Sequence, residues 1–294
     1  MTTKKLAIIL IGVVFIAFGV GFFALNFLGN KTGENIFSTN NFSINLSPTG
    51  SVIDIDESAV ENINGVEKIY ITAPIARVNI SSEDREDVSI RYHGQVPSSI
   101  KTSLETNNSK DKLEIKAKSK NHSKININNN MQLYLDILIP NSYSKNMHIE
   151  TNLGDIRIQD LKLSELDIDA DLGNVNIKNT ETDELDINCA MGNVICNDIQ
   201  GNANVSADLG NIELYYDYFD YDLNAESNLG SITITLPKDA NFNLDADADL
   251  GKINTDFPVT ANKSSNTNLK GTVGNGGKDV KLTVDLGSIK IKSK

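Results

Sequence analysis

Asp171-Leu172-Gly173-Asn174-Val175 is one copy of a phrase that returns along the second half of the chain and decides its fold. It recurs as Asn152-Leu153-Gly154-Asp155-Ile156, Ala190-Met191-Gly192-Asn193-Val194 and Asp208-Leu209-Gly210-Asn211-Ile212. Further copies are Asn228-Leu229-Gly230-Ser231-Ile232, Asp249-Leu250-Gly251-Lys252-Ile253 and Asp285-Leu286-Gly287-Ser288-Ile289. The glycines are separated by 19, 19, 18, 20, 21 and 36 residues, the last interval close to two ordinary steps. A fixed period near 20 residues marks a stack of repeated coils.

Each coil reads as short strands joined at corners. Leu166, Ile168 and Ala170 alternate with polar residues, Leu172-Gly173-Asn174 turns the corner, and Val175-x-Ile177 forms a second side. Leu161-x-Leu163 makes a third. Alternate residues of a strand point to opposite faces. The spacing therefore predicts Leu166, Ile168, Ala170, Leu172, Val175 and Ile177 inside. The glycines Gly154, Gly173, Gly192, Gly210, Gly230, Gly251 and Gly287 serve as structural turns, because glycine tolerates a positive φ or a bulge. One coil cannot bury its own inner face, whereas a stack of coils paired in parallel can. The expectation is an all-β, parallel β-solenoid with coils of about 18–21 residues. Ile69, Ile71, Ala73, Ile75, Val78 and Ile80 repeat the same spacing, with Ala76 and Arg77 at the Gly-Asn position, so the solenoid domain spans 67–294.

Before it, Leu6 to Leu28 is apolar apart from small glycines and Asn26, long enough for a transmembrane helix over 6–28. Lys4 and Lys5 bias residues 1–5 to the cytoplasm, which places the C-terminal domain extracellular in a single-pass cell-membrane protein. A cleavable signal peptide is the competing reading, but the bulky end of this segment lacks a small-x-small site. Residues 29–66, rich in Asn, Ser, Thr and Gly up to Gly50, read as an extracellular tether and a lead-in. The alternation around Val88, Leu113 and Ile125 continues the domain, with long polar stretches between, and Pro140 ends the apolar run from Leu133.

The formal charge of −12 argues against nucleic acid, whose phosphates need Lys and Arg. Cys189 and Cys196 occupy the repeat positions of Ala170 and Ile177, which favours two buried thiols over a disulfide or a metal pair. Outward residues of the first strand form columns: Asp167, Asp186, Asn204, Asn224, Asp245; then Asp169, Asn188, Ser206, Glu226, Asp247; then Asp171, Ala190, Asp208, Asn228, Asp249, with Asp285 at the far end. A solvated polar face whose Asn side chains form ladders is the simpler reading. Weak calcium or magnesium binding at Asp167, Asp169, Asp171, Asp245, Asp247 and Asp249 is the sharper one. Tyr215, Tyr216, Tyr218 and Tyr221 form an aromatic run suited to a sugar or protein partner, or to padding a wide corner. His93, His122 and His148 are scattered, and no nucleophile elbow or basic partner for a thiol is present in the sequence. No cofactor is implied.

The strand Lys68-Ile69-Tyr70-Ile71, the Leu135 to Pro140 strand, the Leu-Gly turns and the ending from Gly271 to Ile291 together resemble a known family. It is the bacterial putative-adhesin domain of unknown function, a β-solenoid family, and the resemblance runs from about Glu67 to Ile291. It implies a membrane-anchored surface module, in some members linked to envelope-stress operons of Gram-positive bacteria, and no catalytic residues. The expected function is a non-enzymatic module for adhesion or for envelope-stress sensing and scaffolding, whose partner is a cell-wall polymer or envelope protein. The alternatives are a cation-dependent wall binder and a polysaccharide-active β-helix enzyme. Lys290, Lys292 and Lys294 on a final edge strand would block further stacking and keep the ectodomain monomeric.

Overall fold

In the computed structural model the described residues are 52–98, 100–120 and 132–294. The expected membrane span, the cytoplasmic tail, the tether up to residue 51 and the Ile125 alternation lie outside them. Among the described residues every regular element is a strand, and no helix is long and apolar enough to cross a membrane.

The strands are β1 (Val52–Asn62), β2 (Lys68–Thr72), β3 (Arg77–Glu83), β4 (Asp87–Pro97), β5 (Lys101–Ser109), β6 (Lys112–Lys120) and β7 (Gln132–Pro140). There follow β8 (Asn146–Leu153), β9 (Ile156–Gln159), β10 (Lys162–Leu172), β11 (Val175–Met191), β12 (Val194–Leu209) and β13 (Ile212–Tyr215). The last six are β14 (Leu223–Leu229), β15 (Ile232–Leu236), β16 (Phe242–Thr255), β17 (Val259–Ser264), β18 (Asn268–Val273) and β19 (Lys278–Ser293). All belong to one mixed sheet.

Two core columns run through the repeats. On the first side Ile69, Met147, Leu166, Leu185, Ala203, Leu223, Val280 and Leu244 are successive parallel partners, and all are buried. On the second, Val78, Ile156, Val175, Val194, Ile212, Ile232 and Ile289 succeed one another in the same way. The apolar positions of the repeat thus place one residue per coil into each column, and the columns make a single continuous core. Cys189 pairs with Ala170 and Cys196 with Ile177, as the repeat alignment predicts.

Four features differ from the sequence reading. First, the coils are not stacked in chain order. β19 pairs with β14 and β15 on one side and with β16 on the other, so the last coil is inserted between its two predecessors. The 36-residue interval arises because β17 and β18 form an antiparallel extension on β16 before the chain returns to fill the gap.

Second, β19 is therefore an interior strand. Lys290 and Lys292 flank Thr233 and Thr235 rather than solvent edges, which removes the stated basis for a monomer.

Third, Leu172 does not line the interior. It is 41% exposed, and Ala170 is the last inward residue before the corner. The strand bends between them, and the corner glycine packs on the backbone of the neighbouring coil. A Cβ on Gly173, whose φ is +146°, would lie 2.2 Å from the Gly154 carbonyl oxygen, so backbones meet there and leave no room for a side chain.

Fourth, both ends of the stack are antiparallel. β1, an unexpectedly long strand, pairs with β4, which pairs with β7, while β5, in a stretch that reads as polar loop, forms a hairpin with β6, which carries the expected alternation at Leu113. The open sides of β1 and β5 face each other through carboxylates. Glu57 accepts the Leu104 N–H at 2.8 Å, and Glu61 accepts from the Thr106 hydroxyl and the Asn108 amide. Charged side chains placed on edges in this way discourage pairing with other chains.

Candidate functional site

The outward columns are the first candidate. With β19 inserted, Lys281 stands between Asn224 and Asp245, Thr283 between Glu226 and Asp247, and Asp285 between Asn228 and Asp249. The columns thus contain a lysine the linear order omitted, and Asp285 is not at the far end. Their carboxylates are relieved by amides from neighbouring coils. Asn188 donates to Asp169 at 3.1 Å, Asn204 to Asp186 at 3.0 Å, Asn228 to Asp208 at 2.8 Å and Asn152 to Asp171 at 2.7 Å. Lys270 pairs with Asp245, and Asn268 donates to Asp247. A coil spacing of about 4.8 Å would leave stacked carboxylates repelling one another. Where an amide donor alternates with a carboxylate the clash becomes a hydrogen bond, whereas Asp167 and Asp186 stack directly.

At the first end of these columns His148, Asp167 and Asp169 offer ligand atoms within 4.8 Å of one another. His148 Nδ1 lies 2.7 Å from Asp167 Oδ2, an interaction the sequence hides because the two residues are 19 apart and meet only through stacking. Three ligand atoms could take a divalent cation only with several waters, since calcium prefers six to eight oxygens. At the other end Asp245, Asp247, Asp249, Asp285, Lys281 and Thr283 line a cleft of about 280 Å³.

The residue after each corner glycine makes a second ladder. The Asn174 N–H donates to Asp155 Oδ1 at 3.1 Å, Asn193 to Asn174 at 3.0 Å, Asn211 to Asn193 at 2.9 Å and Ser231 to Asn211 at 2.9 Å. Side-chain oxygens here satisfy corner N–H groups of the next coil, which explains the Asn and Asp preference at this position. Arg77, at the same position in the first coil, ends the ladder with an ion pair to Asp155 at 3.0 Å.

The aromatic run divides into two. Tyr216 is fully buried and meets Phe219 edge-on, and Phe219, Phe242 and Phe257 continue the contact chain. Tyr216 therefore pads the corner and faces no partner. Tyr218 is 59% exposed, and Tyr221 is half-buried beside it. Tyr215 carries the Lys294 ammonium over its ring at 4.7 Å, and Lys294 also pairs with Asp217.

Burial raises the Cys189 thiol to about 11 and the Cys196 thiol to about 12, so neither is a nucleophile near neutral pH. His93 is held by Asp136 at 2.7 Å and stacks on Tyr134.

The last candidate was missed in the sequence. Leu153, Leu172, Met191, Leu209, Leu229, Leu286 and Leu250 are successive partners across the coils and stand at the outer side of the corner. Five of them are more than a third exposed. The signal was present as an apolar residue before every corner glycine, but strict alternation assigned it to the core.

The family model described as Toastrack DUF4097 matches residues 66–292. No curated protein matches the chain. Among solved structures, a putative cell adhesion protein from Clostridium sporogenes is 18% identical, with 82% of this chain and 100% of that chain covered and a TM-score of 0.40. A putative adhesin from Bacteroides fragilis is 12% identical over 83% of this chain and 98% of its own, with a TM-score of 0.43. A putative lipid binding protein from Parabacteroides distasonis is 14% identical over 80% and 96%, with a TM-score of 0.28.

Proposed function

The chain belongs to the Toastrack DUF4097 family, and from that premise we propose a non-enzymatic binding module, a parallel β-solenoid held at the cell surface by its N-terminal segment. Its role in this reading is adhesion, or sensing and scaffolding in the cell envelope. The observation that carries it is the character of the outward faces. Their polar groups are spent on one another in coil-to-coil ladders, and the two thiols that could act as nucleophiles are buried. Such a surface is rigid and repetitive, suited to holding a partner in place rather than to proton transfer. The membrane anchor is supported by the apolar stretch 6–28 and the lysines before it.

The test is incubation of the full-length protein with purified wall polymers, followed by chromatography of the products. Retention without cleavage agrees with the proposal, and new fragments would overturn it in favour of an enzyme. A cation-dependent form of the same binding is favoured by the His148, Asp167 and Asp169 cluster. It requires that calcium raise both the melting temperature and the retention, and a melting temperature indifferent to calcium removes it.

A further inference from the structure

Single exposed apolar residues are ordinary on a protein surface, but a continuous line of them is not. Leu172, Met191, Leu209, Leu286 and Leu250 are 37–56% exposed and fall in one such line. With Leu153 and Leu229 it counts seven rungs, a ridge about 29 Å long at about 4.8 Å per step. Packing does not demand it. The last inward position before the corner is the residue two before each rung, such as Ala170 before Leu172, and five of the rungs are open to solvent.

The row beside the ridge is acidic. The residue before each rung is Asp at 171, 208, 249 and 285, Asn at 152 and 228, and Ala at 190, with no Lys or Arg among them. At the Leu250 end this row opens into the cleft lined by Asp245, Asp247, Asp249 and Asp285, where four carboxylates outnumber the one cation, Lys281.

We propose that the ridge and its acidic row dock a basic amphipathic helix of a partner protein. An α-helix places an apolar side chain on one face about every 5.4 Å, close to the ridge's own step, and about 19 residues cover its length. Lys or Arg flanking the apolar stripe then meets the acidic row, and one at the helix end enters the cleft. A second copy of this chain fits less well, because each carries the same acidic row within a net charge of −12. An anionic lipid surface is repelled for the same reason. The inference names a partner for the binding module proposed above and rests on that reading. That reading is decided separately by the wall-polymer assay.

The experiment titrates the full-length protein into a labelled 20-residue Leu/Lys amphipathic helix, with a Leu/Glu helix of the same pattern as control. The compared variants are the triple Leu172→Ser/Leu209→Ser/Leu286→Ser and the double Asp208→Asn/Asp285→Asn. All five positions are on the outside of the coil, and an unchanged melting temperature verifies folding. Should the triple variant not fold, Met191→Gln/Leu250→Gln serves in its place. The expected result is at least tenfold weaker binding of the Leu/Lys helix by the triple variant, weaker binding at low salt by the double variant, and no binding of the Leu/Glu helix.

Equal binding by wild type and ridge variant would overturn the proposal, as would equal binding of the two helices. So would a wild-type dimer in sedimentation that the triple variant dissolves, which makes the ridge a self-interface. Retention on phosphatidylcholine vesicles that the triple variant loses would overturn it too, by assigning the ridge to lipid.

Discussion

Gly287 lies directly over Gly230, which precedes it by 57 residues, and a Cβ on Gly287 would sit 1.7 Å from the Gly230 carbonyl oxygen. Gly251 lies over Gly287 in turn, so the chain passes the gap, builds the outer coil and then comes back to fill it. Each corner from Gly173 onward has this contact between glycine backbones, while Gly154 lies over Ala76. The tightness follows from the coil spacing, not from the local turn.

Gly287→Ala is accordingly expected to cost about 3 kcal/mol or more, because backbone on both sides prevents relief. Gly277→Ala is the comparison. Gly277 also has a positive φ, but the nearest atom to its added Cβ is 3.6 Å away, so it pays for backbone strain alone. Urea denaturation of both variants checks the ranking, and equal losses would contradict the stacking explanation.

Removal of residues 278–294 should abolish cooperative unfolding rather than trim the stack by one coil. β19 is hydrogen-bonded to β14 and β15 on one side and to β16 on the other, and its loss opens two edges at once. Limited proteolysis and a thermal melt of the truncated chain distinguish the outcomes. A stable shortened stack would show that β16 can move down and take the vacated place.

The coils were legible because one side of each has apolar residues at fixed spacing, and stacking needs only that spacing. The order of the coils was not, since Ala246 and Leu282 occupy equivalent positions and either could pair with Ala225. Nothing local says which coil docks first. The 36-residue interval was the visible trace of the insertion. Leu172 falls outside because alternation holds within a strand and fails at a bend, where Asp171 and Leu172 both face outward after the buried Ala170. Among the site residues, the Asn ladders could be foreseen from composition. The His148 to Asp167 contact needed the register, and the separation of buried Tyr216 from exposed Tyr218 needed the corner geometry.

Asn193 both gives and receives in the corner ladder, donating to Asn174 and accepting the Asn211 N–H at 2.9 Å. Asn193→Ala leaves that exposed N–H to water and is expected to cost about 0.5–1 kcal/mol. Asn193→Asp keeps the acceptor and should recover most of the loss at neutral pH. Chemical denaturation of the two variants reads the difference, and equal destabilisation would mean that the side chain contributes through packing alone.

Tyr216→Ser and Tyr218→Ser should behave oppositely. The first removes a buried ring from the contact with Phe219 and is expected to cost about 3–5 kcal/mol, the range for truncating large aromatic side chains in a core. The second alters an exposed ring and should leave the melting temperature within a degree or two while changing any retention on wall polymers. A stable Tyr216→Ser variant would place that ring outside the core.

Acid should weaken the fold over a definite window. Hydrogen bonds from Lys112, then from Lys116, hold the Glu114 carboxyl at about 2, against a smaller opposing effect of desolvation. For Asp155 partial burial pushes upward, but the Asn174 N–H and amide together with the Arg77 guanidinium outweigh it and lower the carboxyl. Both groups are thus depressed relative to the unfolded chain, where carboxyls titrate near about 4. Their contribution is fully present above that value and is lost as pH falls through the folded one, so stability should drop between about pH 4 and pH 2. Asp155→Asn keeps an oxygen for Asn174 and removes the charge that faces Arg77. The variant should be less stable than the wild type at pH 7, and the gap should close as the wild-type carboxyl is protonated. Denaturant midpoints at pH 7, 4 and 2.5 measure it. A gap of constant size across that range would show that Asp155 acts by shape and not by charge.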